Sequence, residues 1–128
     1  MIKLTFAVRR RPDVEPADFH SYWRDQHGPL VRSLQPVLGI RRYVQTHRME
    51  TRFNDALRAS RHALEPFDGV AELWWDDLDA LVVATSTAEG AAAGETLLED
   101  EARFIDLERS ALWLGQEIEI IPLTASPQ

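Results

Sequence analysis

The side chains best suited to acid–base chemistry in this sequence are two histidines and a tyrosine. His27 follows an aromatic helical stretch and directly precedes Gly28-Pro29, and an imidazole with an ordinary pKa of about 6.5 exchanges protons near neutral pH. His47 and Tyr43 lie on one face of a predicted strand, because alternate strand residues point the same way. A phenol there can hydrogen-bond a substrate carbonyl or enolate. We therefore predict a catalytic group made of His27, His47 and Tyr43.

Each member of this group also has a purely structural interpretation. Gly28 suits the left-handed position that ends a helix and Pro29 cannot continue one, so His27 would then only cap the helix C-terminus. His47 would be an exposed edge-strand residue or a subunit contact. Tyr43 would pack with its hydroxyl bonded to the backbone, as is common for tyrosines in strands.

A carboxylate partner for a histidine is available in an acidic run near the C-terminus. Its members are Asp100, Glu101 and Asp106, although such a run is also typical of a solvated helix face. A metal site is not predicted, because His20 precedes His27 by seven residues and no H-x-x-x-H or H-x-E-H spacing occurs. Sequence motifs for dinucleotides, triphosphates, serine hydrolases and calcium are missing too. We expect neither a metal nor another cofactor.

Aromatic side chains provide candidate walls for an apolar ligand. We assign this ligand-binding role to Trp23, Trp74, Phe6 and Phe104, since flat rings pack well against an apolar molecule. With four tryptophans in the chain, an ordinary aromatic core is the competing interpretation.

The periodicity of the sequence predicts the elements that must position these groups. Alternating apolar residues predict strands over 2–8, 39–48, 70–75 and 112–121. Helical spacing predicts helices over 16–27 with a continuation to 34, over 53–64, from 78 after the cap at Asp76-Asp77, and in a second stretch from the cap at Thr87 to 105. We expect Gly90 and Gly94 to weaken or bend the last of these. The order is typical of the ferredoxin-like βαββαβ plait, an α+β fold with a four-stranded antiparallel sheet and helices on one face. We predict one domain over residues 1–122 and a tail over 123–128.

Composition excludes several classes of protein. The chain has no cysteine, so disulfides, thiolate metal sites and cysteine nucleophiles are ruled out. Residues 1–62 contain 12 Lys/Arg against 6 Asp/Glu, residues 63–128 contain 2 against 15, and the net charge of −7 argues against nucleic-acid binding. The apolar runs are too short for a signal peptide or a membrane span, so we expect no membrane association and a cytoplasmic location.

Large apolar residues occupy both faces of the predicted strands. Val70 and Trp74 share one face of the third strand, while Ala71, Leu73 and Trp75 share the other. Helices cover only one face of such a sheet, so the other face needs another partner. We predict a homodimer in which two sheets face each other.

Four short patterns occur in order along the chain. They are Phe19, Tyr22-Trp23 and His27-Gly28-Pro29-Leu30; Tyr43, Gln45 and His47; Asp68-Gly69, Glu72 and Trp74-Trp75; and Asp100-Glu101, Phe104 and Ile105-Asp106. Together they resemble the EthD family of dimeric α+β barrel proteins over nearly the whole chain. The resemblance implies small-molecule chemistry, with a ligand cavity between sheet and helices in each subunit. Relatives in this superfamily include polyketide cyclases, decarboxylases, dehydratases, cofactor-free monooxygenases and lactone isomerases. The arginine-rich insert over residues 49–64 departs from the family pattern, and we expect it to act as a lid.

Two functions are consistent with these residues. The first is a cofactor-independent enzyme that acts on an apolar oxygenated or aromatic metabolite by histidine acid–base chemistry, in a dehydration, decarboxylation, cyclisation or oxidation. The second is a non-catalytic ligand-binding or accessory protein of an oxidative catabolic or biosynthetic pathway. The enzyme hypothesis requires His27 and His47 to converge on one pocket.

Overall fold

A computed structural model describes residues 1–127 and contains one four-stranded sheet. Its strands are β1 (Ile2–Val8), β2 (Arg42–His47), β3 (Gly69–Trp75) and β4 (Ala111–Gly115). They pair antiparallel in the spatial order β2-β3-β1-β4. This is the ferredoxin-like α+β arrangement that the sequence predicts, and the fold prediction is confirmed.

Helices alternate with the strands, and three of them enclose the core. The α-helices are α1 (Pro16–Tyr22), α2 (Gly28–Leu38), α3 (Arg52–Arg61), α4 (Leu78–Ser86) and α5 (Ala88–Glu101), with a π-helical turn over Trp23–His27 between α1 and α2 and a 3₁₀ turn over Leu107–Arg109. The buried core lies between the sheet and α1, α2 and α5. None of the helices formed by residues 1–127 has the length and apolar character needed to cross a bilayer.

The helix that begins at Pro16 continues past Gly28, so the predicted helix end there is wrong. Gly28 has φ −55° and ψ −52°, and His27 has φ −70° and ψ −42°, which are right-handed helical values. The Gly28 N–H donates to the carbonyl of Trp23, five residues earlier, as in a π-helix. Pro29 is tolerated because it needs no acceptor in the first turn of α2, and because Gly28 has no Cβ to meet its ring. His27 therefore lies inside a continuous helical rod and does not cap a helix end.

The face of the sheet beneath the helices is apolar. The strand residues that point to this face include Phe6, Val8, Leu73 and Trp75. They pack in one core with the aromatic rings of Phe19 in α1 and Trp23 in the π turn. Trp23 lies directly against the start of β3, where a Cβ on Gly69 would stand 2.6 Å from the indole and 2.4 Å from the Thr46 carbonyl oxygen. Only glycine permits this close approach.

The opposite face of the sheet, which we call the outer face, carries Trp74. The register places Trp74 opposite Lys3 on one side and Arg42 on the other, and both cations lie over its ring, at 5.5 Å and 4.7 Å. Its indole N–H donates to the carboxylate of Glu117. Lys3 also forms a 2.6 Å ion pair with Glu72 on the same face. Trp74 thus points away from the helices.

Strand β4 is shorter than predicted. It ends at Gly115, not at residue 121. The reason lies in β1, its one partner in the sheet, because Gly115 already pairs with Lys3, the second residue of that strand. Residues beyond Gly115 therefore have almost no strand left to pair with, and Ile118 and Ile120 are more than 80% exposed.

The insert over residues 49–64 forms α3. Thr51 caps its N-terminus by accepting from the Phe53 N–H, and His62 ends it in the left-handed conformation, with φ 50°. No residue of α3 is buried. The insert borders a polar groove beside Arg9, Arg48 and Asp68, so the structure does not place it as a lid over His27.

Candidate active site

A cavity of about 130 Å³ lies between the sheet and the helices, and we call it the inner cavity. Its walls are mostly apolar and include two of the predicted ligand-binding residues, Phe6 and Trp23. Three titratable side chains also line it: His27, Tyr43 and Glu101. An apolar pocket with a few convergent polar groups is the usual form of a small-molecule site.

A carboxylate fixes the ring of His27. The Nδ1 atom of His27 lies 2.6 Å from Oδ2 of Asp100, and the Tyr22 hydroxyl donates to Oδ1 of the same carboxylate at 2.5 Å. A carboxylate only accepts hydrogen bonds, so the proton of neutral His27 resides on Nδ1. This leaves Nε2 as the nitrogen that can take a proton from a molecule in the inner cavity. The sequence singled out Asp100 as one possible histidine partner, and the structure brings the two together.

Burial sets the protonation of the cavity residues. It lowers the pKa of His27, although the hydrogen bond and charge of Asp100 oppose this shift, so the imidazole is neutral near pH 7. Burial raises the pKa of Glu101 to about 7, and the neighbouring charge of Asp100 adds to that rise. Burial likewise raises the pKa of Tyr43. The inner cavity therefore contains a neutral base, a protonated phenol and a carboxyl group that titrates near neutrality.

A chain of hydrogen bonds determines where the Tyr43 hydroxyl points. The Gln45 amide nitrogen donates to the Trp23 carbonyl oxygen at 2.8 Å and to the Tyr43 hydroxyl at 2.7 Å. Because a backbone carbonyl only accepts, the orientation of the Gln45 amide is unambiguous. The Tyr43 oxygen accepts from this amide, so its own proton is free to be donated to a ligand in the inner cavity.

The same chain fixes two histidine tautomers. The Gln45 amide oxygen lies 2.8 Å from Nε2 of His47, so this nitrogen carries the proton. The Nδ1 atom of His47 must then accept from Nδ1 of His20, which lies 2.7 Å away. Burial lowers the pKa of both imidazoles, as this neutral pair requires. His47 therefore acts on Tyr43 through Gln45 and not on the inner cavity directly.

His47 faces a second cavity, which we call the outer cavity. It has a volume of about 500 Å³ and is lined by His47 and Gln45, and by Arg24 and Arg32. His27 does not line it. The structure therefore does not bring the two predicted histidines to one pocket. Tyr43 lines both the inner cavity, with His27, and the outer cavity, with His47.

The remaining predicted ligand-binding residues have other positions. Phe104 is buried behind His27, with ring centroids 5.2 Å apart, and lines neither cavity. Trp74 lies on the outer face, and its neighbour Trp75 lines the inner cavity instead. Glu101 is the main residue whose place in the cavity sequence reasoning missed, since the acidic run gave no indication of which member is buried. Within residues 1–127 no group of three potential ligands is close enough to hold a metal ion.

Comparisons with known proteins agree with the fold. The sequence model of the EthD domain matches residues 11–108. An ethyl tert-butyl ether d (EthD) family protein from Bacillus halodurans is 24% identical, with a TM-score of 0.61 over 92% of this chain and 99% of that chain. A dimeric protein of unknown function and ferredoxin-like fold from Bacteroides fragilis is 15% identical, with a TM-score of 0.57 over 91% of this chain and 95% of that chain.

A more distant structural likeness extends to a different group of proteins. A putative antibiotic biosynthesis monooxygenase from Deinococcus radiodurans is 12% identical, with a TM-score of 0.53 over 98% of this chain and 100% of that chain. None of the curated proteins matches the sequence. At these identities the likenesses show a shared fold.

Proposed function

The chain belongs to the EthD domain family, and from the geometry of its inner cavity we propose that it is an enzyme that moves protons on an apolar carbonyl compound. The observation that carries this proposal is that His27, a base, and Tyr43, a hydrogen-bond donor, are both held by hydrogen bonds and line one mostly apolar cavity. A ligand carbonyl accepts from the Tyr43 hydroxyl while an adjacent C–H or O–H faces Nε2 of His27.

The first chemical step is removal of a proton beside the carbonyl. His27 Nε2 takes the α-proton, the C–H electron pair forms the C=C bond of an enolate, and the negative charge moves to the carbonyl oxygen. Tyr43 stabilises that oxygen by its hydrogen bond. The imidazolium that forms is stabilised by Asp100, whose carboxylate already accepts from Nδ1. Glu101 lines the same cavity and is protonated below its pKa of about 7, which supports a role in returning a proton to the product.

Several reactions share this enolate step. Dehydration of a β-hydroxy carbonyl compound and aldol-type cyclisation both begin with this proton removal, and oxidation by dioxygen starts from the same enolate. Decarboxylation of a β-keto acid reaches an enolate by loss of CO₂, and Tyr43 would stabilise its oxygen in the same way. The pair in the inner cavity supports the shared step, and groups elsewhere on the substrate select the outcome. The accessory-protein alternative uses the same cavity without turnover, and the exchange experiment below separates the two.

Isotope exchange tests the proposal without knowledge of the natural substrate. Cyclohexanone is a ring-sized ketone with acidic α-protons, and it suits a cavity of about 130 Å³. In D₂O at pH 7 we expect the protein to accelerate exchange of these protons, and we expect His27→Asn to reduce the protein-dependent rate by about 10²- to 10⁴-fold. Tyr43→Phe should reduce it by about 10²-fold. His62→Asn is the control, since His62 ends the exposed helix α3. Exchange no faster than in the His27→Asn variant would exclude the enzyme.

We also propose that two copies pack through their outer faces. The outer face is not covered by helices, and it includes Trp113, which lies opposite Thr5 and is 53% exposed. The similar Bacteroides fragilis protein is described as dimeric. Sedimentation at micromolar concentration should show a dimer that Trp113→Lys weakens and the tail control Leu123→Lys leaves intact. A wild-type monomer would contradict this arrangement.

A further inference from the structure

The inner and outer cavities lie against the same side chains. Val31, Ile40 and Tyr43 contribute to the walls of both. Apolar cavities of about 150 Å³ accommodate a benzene ring, so the inner cavity, at about 130 Å³, holds little more than one ring-sized group. The outer cavity, on the other side of these shared side chains, offers about 500 Å³ for the rest of a longer ligand.

The outer cavity is cationic. Arg24 and Arg32 line it, and none of the aspartates and glutamates among residues 1–127 does. The Arg24 guanidinium is bound by the adjacent Asp25 through two hydrogen bonds of 3.0 Å, so its charge is already balanced. The Arg32 side chain is exposed, and its guanidinium forms no hydrogen bond or ion pair with any residue that the structure describes. The cavity thus presents one guanidinium whose charge is not balanced.

The other polar groups of the outer cavity are already bonded. Both ends of the Gln45 amide and both ring nitrogens of His47 belong to the hydrogen-bond chain that orients Tyr43. The Gln35 amide nitrogen donates to the Ile40 carbonyl. Arg32 is therefore the charged side chain of this cavity that no described residue already binds.

We propose that Arg32 binds a carboxylate, and that the substrate is an amphipathic carboxylic acid whose ring or ketone end enters the inner cavity. This inference rests on the proposed function for the end of the molecule that meets His27. The planar guanidinium fork matches the two oxygens of a carboxylate, and one unbalanced cation matches one negative charge. The apolar walls shared by the two cavities match the hydrocarbon body between the two ends.

Matched acids and amides test the proposal. The probes are phenylbutanoate, phenylhexanoate and phenyloctanoate, each with a terminal phenyl ring, and the primary amide of each acid. The pairs have the same length and differ in charge. Binding is followed by NMR through the resonances of His27 and Tyr43, which report occupation of the inner cavity. The variants are Arg32→Gln, Arg32→Lys and the control Arg61→Gln, which changes an exposed arginine at the end of α3.

The proposal predicts that at least one acid binds about tenfold more tightly than its amide at low salt, and that added salt reduces the difference. Arg32→Gln should abolish this preference, Arg32→Lys should retain part of it, and Arg61→Gln should leave it unchanged. Equal affinity of acids and amides, or a preference that survives Arg32→Gln, would overturn the role of Arg32 and leave the inner-cavity proposal standing. Failure of every acid and amide to perturb His27 would overturn both.

Discussion

His27 and Asp100, which are 73 residues apart in sequence, form a 2.6 Å hydrogen bond through Nδ1 and Oδ2. The π turn makes this contact possible, because it lets the helix continue through Gly28-Pro29 and holds His27 on the side that faces α5. Both side chains are nearly buried, at 7% and 13% exposure. The pair resembles the histidine and carboxylate of many acid–base enzymes, where the carboxylate fixes the tautomer and stabilises the imidazolium.

Asp100→Asn should disable the base without unfolding the protein. The hydrogen bond and charge of Asp100 raise the pKa of His27 against the effect of burial. Their loss should lower that pKa further, and the proton of neutral His27 would no longer be held on Nδ1. We expect ketone exchange to fall by about 10²-fold or more. Glu99→Gln, an exposed neighbour on α5, is the control. An Asp100→Asn rate equal to that of the Glu99→Gln variant would show that the carboxylate has no catalytic part.

Glu101→Gln should change the pH dependence of stability. The folded-state pKa of Glu101 is about 7, against an ordinary value of 4.5. Between these values the folded protein binds more protons than the unfolded chain, so this carboxyl lowers stability as pH rises from about 4.5 to 7. Relative to Glu101→Gln, the wild-type free energy of unfolding should fall by about 3 kcal/mol between pH 4 and pH 8.5. Chemical denaturation across that range measures it, and parallel curves for the two proteins would contradict the assignment.

Two glycines of α5 should respond oppositely to alanine. A Cβ on Gly90 would stand 1.7 Å from the Ala84 carbonyl oxygen, whereas a Cβ on Gly94 would have no neighbour within 4 Å. Gly90→Ala should therefore destabilise the fold by at least about 1–3 kcal/mol through overpacking. Gly94→Ala should stabilise it by about 0.5–1 kcal/mol, since alanine is the better helix former. Thermal unfolding of the two variants measures this, and a shift of the same sign in both would contradict it.

Gln45→Glu should turn the Tyr43 hydroxyl away from the inner cavity. A carboxylate cannot donate, so the Tyr43 proton would bond to it instead of to a ligand, and the pKa of His47 would rise beside the new charge. Ketone exchange should fall by about 10²-fold, as for Tyr43→Phe. The double variant Gln45→Glu/Tyr43→Phe should exchange no more slowly than either single variant, because both substitutions remove the same hydrogen bond from Tyr43 to the ligand. Additive losses in the double variant, with melting curves confirming the fold, would contradict the proposed role of Gln45.

The sequence predicts the sheet and the helix-facing aromatic residues, because these follow from periodicity and residue type. It does not predict the π turn, since Gly28-Pro29 is a strong local signal for a helix end. The end of β4 depends on where its partner β1 begins, and this cannot be predicted from the residues of β4 alone.

The hydrogen-bond network of the site could not be predicted from local sequence patterns, because it joins elements that are distant in sequence. Asp100 and Glu101 are adjacent on one helix, yet one binds His27 and the other lines the cavity, and that difference is set by how α5 lies against the π turn. The directional chain from His20 to Tyr43 depends on the bond between Gln45 and the Trp23 carbonyl, a contact between elements that are distant in sequence.

The most direct test of the central claim is a long-range ¹H–¹⁵N NMR spectrum of the histidine rings, recorded at pH 7 with and without cyclohexanone. The account predicts that His27 is a neutral Nδ1–H tautomer and that its Nε2 resonance moves when the ketone binds. The exposed His62 should not respond. A His27 ring protonated on Nε2 in the free protein, or an Nε2 resonance indifferent to a ketone that binds, would contradict the claim that this nitrogen is the base of the inner cavity.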